Sequence, residues 1–210
     1  MHVSNKFGFI SLYNWSMEDM WVPQSIPGLY TVGKPLLTDA RGSFHKILCE
    51  QPAHNTSLPA PHFDEIYWSS SQEGVSRGMH VQTPPFHGRK LVFATTGTVT
   101  DFVVDLRVGS PTFQEVWSKI LSPTSAGVLI PAGCAHGFSV QLGPALLVYA
   151  QEGFYSSEFD TGVNMASIGL VSILARENMS ERDLALPTLN EFKSKFSFDE
   201  SEYPNWENQS

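Results

Sequence analysis

Residues 77–82 (RGMHVQ) carry the first side chains whose type and spacing could support chemistry. Strand alternation puts His80 and Gln82 on one face, with Arg77 leading in near a turn. A histidine that faces the interior of a barrel can accept a proton near neutral pH. Taken alone, the segment favours a structural histidine held by a hydrogen bond over a catalytic one.

Four further candidates follow on later strand-like segments. Lys90 opens an apolar run, where its side chain could extend to solvent or supply a cation for a substrate oxygen. Asp101 falls on an apolar face of residues 99–105 (VTDFVVD), so its carboxylate needs a partner, and His136 is a candidate. Tyr149 ends the apolar run ALLVY, a position more often in the core than in a catalytic site. The group on consecutive strands is therefore more informative than any single member.

Short apolar runs separated by turn residues predict the strands that must position these side chains. The runs are residues 90–94, 99–108, 127–133, 136–141 and 145–151. The turn residues between them include Thr96 and Gly97, residues 109–111 and 131–133, and Gly143 and Pro144. Strands and turns alternating every 8–15 residues or so predict an antiparallel sandwich or barrel rather than βαβ units.

The two ends of the chain differ from this central part. Residues 1–25 are aromatic-rich without a clear period, and we interpret them as an N-terminal extension. Residues 26–198 form the single predicted domain, and residues 199–210 form an acidic tail. Ser180 followed by Asp183 resembles a capping box and predicts one or two short helices near the C-terminus.

The composition narrows the function classes. A chain of 210 residues corresponds to one domain, and its formal net charge of −8 argues against a surface for nucleic acid or anionic membranes. Cys49 and Cys134 lack the spacing of a metal site or a disulfide framework. The N-terminus has no signal-peptide pattern, and no apolar run approaches the roughly 20 residues of a membrane span. We therefore expect a soluble, cytoplasmic protein.

Several segments follow one another in a recognisable order: IPGLY (26–30), DARGSF (39–44), GVSRGMHVQ (74–82), KLV (90–92), VTDFVVDLRVGSPTF (99–113), IPAGCAHGF (130–138), the strand that contains Tyr149, and SERDLALPTL (180–189). Together these segments resemble the dTDP-4-dehydrorhamnose 3,5-epimerase family of cupin-type sugar-nucleotide epimerases. The resemblance implies a mainly β fold, a cupin-type jelly-roll barrel or sandwich with short C-terminal helices, and a homodimer that exchanges strands. It also implies epimerisation at C3, C5 or both of a nucleotide-linked 4-keto-6-deoxy sugar in deoxysugar or surface-polysaccharide synthesis. No metal or other cofactor is expected.

The resemblance also implies the catalytic roles. His80 corresponds to the base that removes a proton beside the C4 ketone, and Lys90 to the cation that stabilises the enolate oxygen. Tyr149 corresponds to the acid that returns a proton to the opposite face. His136 and Asp101 correspond to a second pair that lines the site.

Substrate contacts are implied in the same way. Arg77 resembles the arginine that binds the pyrophosphate. Arg41 and Phe44 resemble nucleotide contacts that reach in from the partner subunit. Tyr155 corresponds to an aromatic side chain against the base, and Gln82 to a polar residue near the nucleotide.

One departure from the family pattern concerns the partner of the base. The family's histidine is usually paired with an aspartate, and the sequence places Ser167 at the position that we match to it. Without a carboxylate nothing anionic stabilises the imidazolium of His80, and neither Glu158 nor Asp160 is shown to replace it. This leaves open a sugar-nucleotide-binding relative without turnover. A separate alternative is a metal-dependent cupin that uses His80 and His136 with an acid, although HVQ (80–82) is not the His-x-His pair that metal cupins normally have. The nucleotide also stays open, with GDP- and CDP-linked sugars as alternatives to dTDP.

Overall fold

The computed structural model describes residues 21–33, 36–48, 60–169 and 178–203. Most of the predicted extension, Cys49 and the end of the predicted tail lie outside these ranges. The strands are β1 (Trp21–Pro23), β2 (Tyr30–Val32), β3 (Leu37–Asp39), β4 (Gly42–Phe44), β5 (Glu65–Ser71), β6 (Ser76–Gln82), β7 (Lys90–Asp105), β8 (Arg107–Val108), β9 (Val116–Leu121), β10 (Gly127–Ile130), β11 (Cys134–Gln151), β12 (Asp160–Gly162) and β13 (Phe196–Ser197). The described helices are α1 (Glu181–Leu184) and single 3-10 turns at Met165–Ser167 and Glu200–Glu202.

Two long antiparallel strands, β7 and β11, organise the fold. Their paired halves at residues 90–96 and 146–151 are flanked by β10, β2 and β1 on one side and by β5 on the other. Their other halves are flanked by β9 on one side and by β6 and β12 on the other. The mainly β, antiparallel architecture predicted from the sequence is therefore confirmed. The sheet already begins at β1, inside the segment predicted as an extension.

The turns predicted at Thr96–Gly97 and at Gly143–Pro144 are wrong, because both pairs lie inside the long strands β7 and β11. Gly97 has a φ of +71°, and a Cβ there would lie 2.6 Å from the carbonyl oxygen of Leu142. The register between the two strands shifts at the same place. The turn residues thus mark an irregularity through which both strands continue, since glycine permits a close approach and a positive φ.

Alternation along β7 separates two groups of buried side chains. Val99 and Val103 belong to one apolar cluster, while Phe102 and Val104 belong to another. Asp101 is on the same face as Val99 and Val103, as the period of two predicts. Its side chain is completely buried, so the structure does place a carboxylate on an apolar face.

The segment that contains α1 is held against β12 and the turn after it. Ser180 caps α1, since its hydroxyl accepts a hydrogen bond from the Asp183 N–H at 3.1 Å. The Asn164 side chain donates to the carbonyl of Leu184 at 2.9 Å, and the Asn164 N–H donates to the carbonyl of Pro187 at 2.7 Å. The predicted capped helix is confirmed, and these contacts fix its place beside β6. In the described ranges, no helix has the length and apolar character needed to cross a membrane.

Candidate active site

An open cleft of about 730 Å³ collects side chains from β5, β6, β7, β11, β12 and α1. Its walls include Tyr67, His80, Gln82, Lys90, Gln151 and Tyr155. A small cavity shares His80, Lys90 and Gln151 with the cleft and also contacts His136. The cleft thus brings together four predicted side chains from three separate parts of the sequence, and it adds Tyr67 and Gln151, which the sequence analysis missed.

His80 has a carboxylate partner, which comes from α1. The His80 Nε2 lies 2.6 Å from the Asp183 Oδ1, and the Asp183 Oδ2 accepts a hydrogen bond from the Gly78 N–H at 3.2 Å. Burial by itself raises the pKa of Asp183, but the hydrogen bond and charge of His80 and the Gly78 N–H together hold it below the ordinary value. The carboxylate is therefore anionic near neutral pH and orients the ring of His80.

The prediction that Ser167 leaves the base without a carboxylate is wrong. The Ser167 hydroxyl donates to the carbonyl of Asn164 at 2.6 Å and accepts from the Leu189 N–H at 2.9 Å. Ser167 thus bridges the backbone at Asn164 and at Leu189, and it makes no hydrogen bond with His80 or Asp183. A sequence signal for Asp183 did exist, since the capping-box pattern at residues 180–183 places it in the first turn of α1.

Lys90 faces the cleft from the first position of β7. In the part of the chain that the structure describes, its ammonium group makes no hydrogen bond or ion pair. Burial lowers the pKa of Lys90, and the negative charge of Asp160 opposes this effect. A half-buried cation without a partner among the described residues is suited to interact with an anionic oxygen on a ligand.

The predicted pair of His136 and Asp101 is present. The His136 Nε2 lies 2.6 Å from the Asp101 Oδ1, and both side chains are buried. Burial raises the pKa of Asp101, although the hydrogen bond and charge of His136 act in the opposite direction. The Asp101 Oδ2 is buried and has no hydrogen-bond partner among the described residues.

Tyr149 lies one layer behind the cleft wall. Its ring stacks on that of Tyr67, with centroids 4.9 Å apart and an angle of 12°, and its hydroxyl is 3.2 Å from the Ser69 hydroxyl. The rings of Tyr149 and His136 meet edge to face at 6.1 Å. Burial raises the pKa of Tyr149, so the phenol stays protonated and can act as a proton donor.

Two predicted substrate contacts line the cleft but already have partners in the protein. The Gln82 amide donates to the carbonyl of Phe154 at 3.3 Å and accepts from the Ser156 N–H at 2.6 Å. The Tyr155 hydroxyl donates to Asp160 at 3.0 Å, and that carboxylate also contacts Arg182 at 2.6 Å. The direct contact of Gln82 with a nucleotide stays a prediction.

The three remaining predicted contacts do not line this cleft. Arg77 is exposed on β6 and donates from its Nε to the Ser71 hydroxyl at 2.9 Å. Arg41 and Phe44 lie on the exposed β3–β4 hairpin, where Arg41 pairs with Asp39. The structure therefore does not bring the hairpin residues together with the other predicted site residues of the same chain.

Comparisons with known proteins identify the family and agree with the fold. The sequence profile of the family described as dTDP-4-dehydrorhamnose 3,5-epimerase matches residues 23–191. The chain belongs to this family. A Sinorhizobium fredii protein named dTDP-4-dehydrorhamnose 3,5-epimerase is 33% identical over 164 residues, which cover 76% of this chain and 84% of the relative.

Two solved structures extend the similarity to the dTDP-4-dehydrorhamnose 3,5-epimerase fold. A 4-keto-6-deoxy sugar epimerase from the novobiocin gene cluster of Streptomyces spheroides superposes with a TM-score of 0.72 at 28% identity, covering 81% of this chain and 87% of that one. The Legionella pneumophila enzyme in complex with dTDP-4-keto-L-rhamnose superposes with a TM-score of 0.70 at 28% identity, covering 85% of this chain and 98% of that one. The predicted cupin-type fold class is therefore confirmed.

The metal-dependent alternative would need a cluster of ligands. In residues 21–33, 36–48, 60–169 and 178–203, no group of three or more His, Cys, Asp and Glu side chains is arranged to hold a metal ion. His80 and His136 each contact a different carboxylate through Nε2.

Proposed function

We propose that this chain epimerises C3, C5 or both of a nucleotide-linked 4-keto-6-deoxy sugar. The observation that carries the proposal is the contact of His80 with Asp183 in one cleft with Lys90, whose ammonium group has no partner among the described residues. A carbon next to a ketone loses its proton when a base and a cation act together, because the charge moves onto the ketone oxygen as an enolate.

His80 acts as the base in this scheme. The Asp183 carboxylate favours the tautomer with hydrogen on Nε2, which leaves the Nδ1 lone pair to take the proton from carbon. The same carboxylate then stabilises the imidazolium that forms. The alternative of a binding protein without turnover rested on a missing carboxylate, and Asp183 removes that argument.

Lys90 and Tyr149 complete the reaction. The ammonium group of Lys90 holds the enolate oxygen, and its burial strengthens this interaction because little water competes. Tyr149 returns a proton to the face opposite His80, which inverts the carbon. The raised pKa of the phenol keeps that proton in place until the carbanion forms.

The experiment that tests this proposal is incorporation of deuterium from heavy water at C3 and C5, followed by NMR. It uses a panel of dTDP-, GDP- and CDP-linked 4-keto sugars. His80→Ala should lower exchange by about 10²–10⁴-fold, because the proton acceptor is gone. Tyr149→Phe should retain exchange but lose inversion. Binding of these nucleotides without exchange, or undiminished turnover in both variants, would refute the proposal.

We further propose that the active form is a cytoplasmic homodimer. Ile66 and Trp68 on β5 are 74% and 65% exposed, and β5 pairs only with β11 among the described strands. An apolar edge strand of this kind needs a cover, which strand exchange with a second copy supplies. In such a dimer, Arg41 and Phe44 contact the nucleotide in the partner's cleft, while Arg77 binds the pyrophosphate.

A further inference from the structure

Gln151 carries an unused hydrogen-bond donor in the wall of the cleft. The residue is 4% exposed, and its amide Nε2 is buried without a hydrogen-bond partner among the described residues. Gln151 lines both the cleft and the small cavity that adjoins it. A buried donor without an acceptor destabilises the protein unless a ligand supplies one.

Tyr67 determines which end of this amide is free. The Tyr67 hydroxyl donates to the Gln151 Oε1 at 3.2 Å, so the carbonyl end is occupied and the NH₂ end is not. The ring of Tyr67 is fixed in turn by its stack on Tyr149. Burial raises the pKa of Tyr67 to about 12, so its hydroxyl keeps the proton that this hydrogen bond requires.

Gln151 also lies beside Lys90. The two residues are directly opposite each other in the register of β11 and β7, which puts their side chains on the same face. Neither the ammonium group of Lys90 nor the NH₂ of Gln151 has a partner in the described part of the protein. Two adjacent free donors suit two oxygens on adjacent carbons of one ligand.

We propose that Gln151 is a specificity-determining residue whose Nε2 donates to the C3 oxygen of the sugar, and that Tyr67 is its positioning residue. The inference rests on the proposed function, because Lys90 at the C4 oxygen places the neighbouring oxygen next to Gln151. Beyond that function, the role of Gln151 implies that the site prefers sugars that retain a hydroxyl group at C3.

The test compares two nucleotide sugars that differ only at C3, a 4-keto-6-deoxy sugar and its 3-deoxy analogue. The dissociation constant is measured by calorimetry, and proton exchange at both C3 and C5 of each compound is measured by NMR. The native protein should prefer the hydroxylated compound by about tenfold, the value of one net hydrogen bond. Methionine is similar in size to glutamine but has no hydrogen-bond donor, so Gln151→Met should abolish this preference.

Tyr67→Phe separates the two roles. It keeps the ring that stacks on Tyr149 but loses the hydroxyl that orients Gln151, so the preference should fall while the pH profile of exchange is retained. Gln72→Met is the matched control, because Gln72 is exposed in the turn after β5, away from the cleft. This control should keep the full preference.

Each outcome separates the inference from the proposed function. If Gln151→Met keeps the native preference, or weakens both compounds equally, the inference is wrong. If the native protein exchanges protons without any preference, the inference fails and the epimerase proposal stands. If it binds with the preference but exchanges nothing, the proposed function fails and the role of Gln151 stands. Absence of binding by the native protein overturns both.

Discussion

The base in this site depends on a carboxylate from a distant part of the chain. Asp183 is 103 residues away from His80 in sequence, yet it lies 2.6 Å from the ring. We predict that Asp183→Asn lowers proton exchange by about 10²-fold or more, because the amide cannot stabilise the imidazolium. Exchange at C3 and C5 in heavy water measures the effect.

Ser167→Ala is the comparison for that variant, because Ser167 is the position that the sequence matched to the family's aspartate. The substitution should cost about 1 kcal/mol of stability from lost hydrogen bonds and leave exchange within a few-fold of the native rate. An equal loss of exchange in both variants would contradict the role of Asp183.

We expect Lys90 to lower the stability of the folded protein, although the proposed reaction needs its ammonium group. Its pKa is lowered by burial, so between that lowered value and the ordinary 10.5 the unfolded chain binds more protons than the folded one. Stability therefore rises with pH through this window, and below it the folded state holds a buried charge at a cost.

We predict that Lys90→Met abolishes exchange but raises the melting temperature near neutral pH. Each kcal/mol relieved corresponds to about 2–4 °C for a chain of this size. The difference from the native protein should narrow as the pH rises towards 10.5. Calorimetric melts across this range measure it, and a destabilised Lys90→Met protein would contradict the argument.

The candidate site could be predicted in part, and the physical reason differs from residue to residue. The contact of His136 with Asp101 followed from alternation, because a carboxylate on an apolar strand face requires a partner. The contact of Asp183 with His80 could not be predicted in this way, because α1 docks on β6 through tertiary contacts that no local pattern encodes. Gln151 was missed because a glutamine that ends an apolar run gives no sign of its free donor.

At the scale of elements, strand periodicity and turn residues predicted the antiparallel sheet but misplaced its breaks. Gly97 sits where glycine and proline normally signal a turn, but there β7 and β11 continue past an irregularity. A glycine in a turn and a glycine at such an irregularity have the same local sequence, and only the pairing of the flanking residues distinguishes the two. The sequence therefore predicts strand existence better than strand length.

Gly97→Ala tests this interpretation of the long strands. Both Gly97 and Gly109 have a positive φ, at +71° and +89°, so alanine at either costs about 1–2 kcal/mol of left-handed strain. A Cβ at Gly97 would also lie 2.6 Å from backbone atoms of β11, whereas nothing lies within 4 Å of one at Gly109. We predict that Gly97→Ala lowers the free energy of unfolding clearly more than Gly109→Ala, as measured by urea denaturation. Equal losses would contradict the close approach.

At the scale of the whole molecule, the exposed edge of β5 predicts self-association. Trp68→Lys should shift the protein to monomers in sedimentation experiments, because a charge there opposes burial of the edge strand. Ile120→Lys is the matched control, since Ile120 is 62% exposed on the edge strand β9, against 65% for Trp68. If only the Ile120→Lys control loses the dimer, the interface lies at β9 and not at β5.

The dimer has a functional consequence if the β3–β4 hairpin completes the partner's cleft. Arg41→Ala and His80→Ala should each be strongly impaired as homodimers. A heterodimer of the two, isolated with two affinity tags, has one site in which His80 and the Arg41 supplied across the interface are both intact. We predict that it recovers about half of the native exchange rate, because one of its two sites is complete.

The control for this experiment combines His80→Ala with Lys90→Met. Both residues lie in the cleft of the same chain, so a heterodimer of these variants contains no complete site and should stay inactive. If Arg41 instead acts within its own chain, the first heterodimer also lacks a complete site and recovers nothing. Recovery in the first heterodimer but not in the control thus requires that the nucleotide site spans two subunits, and it would explain why the hairpin lies away from the cleft of its own chain.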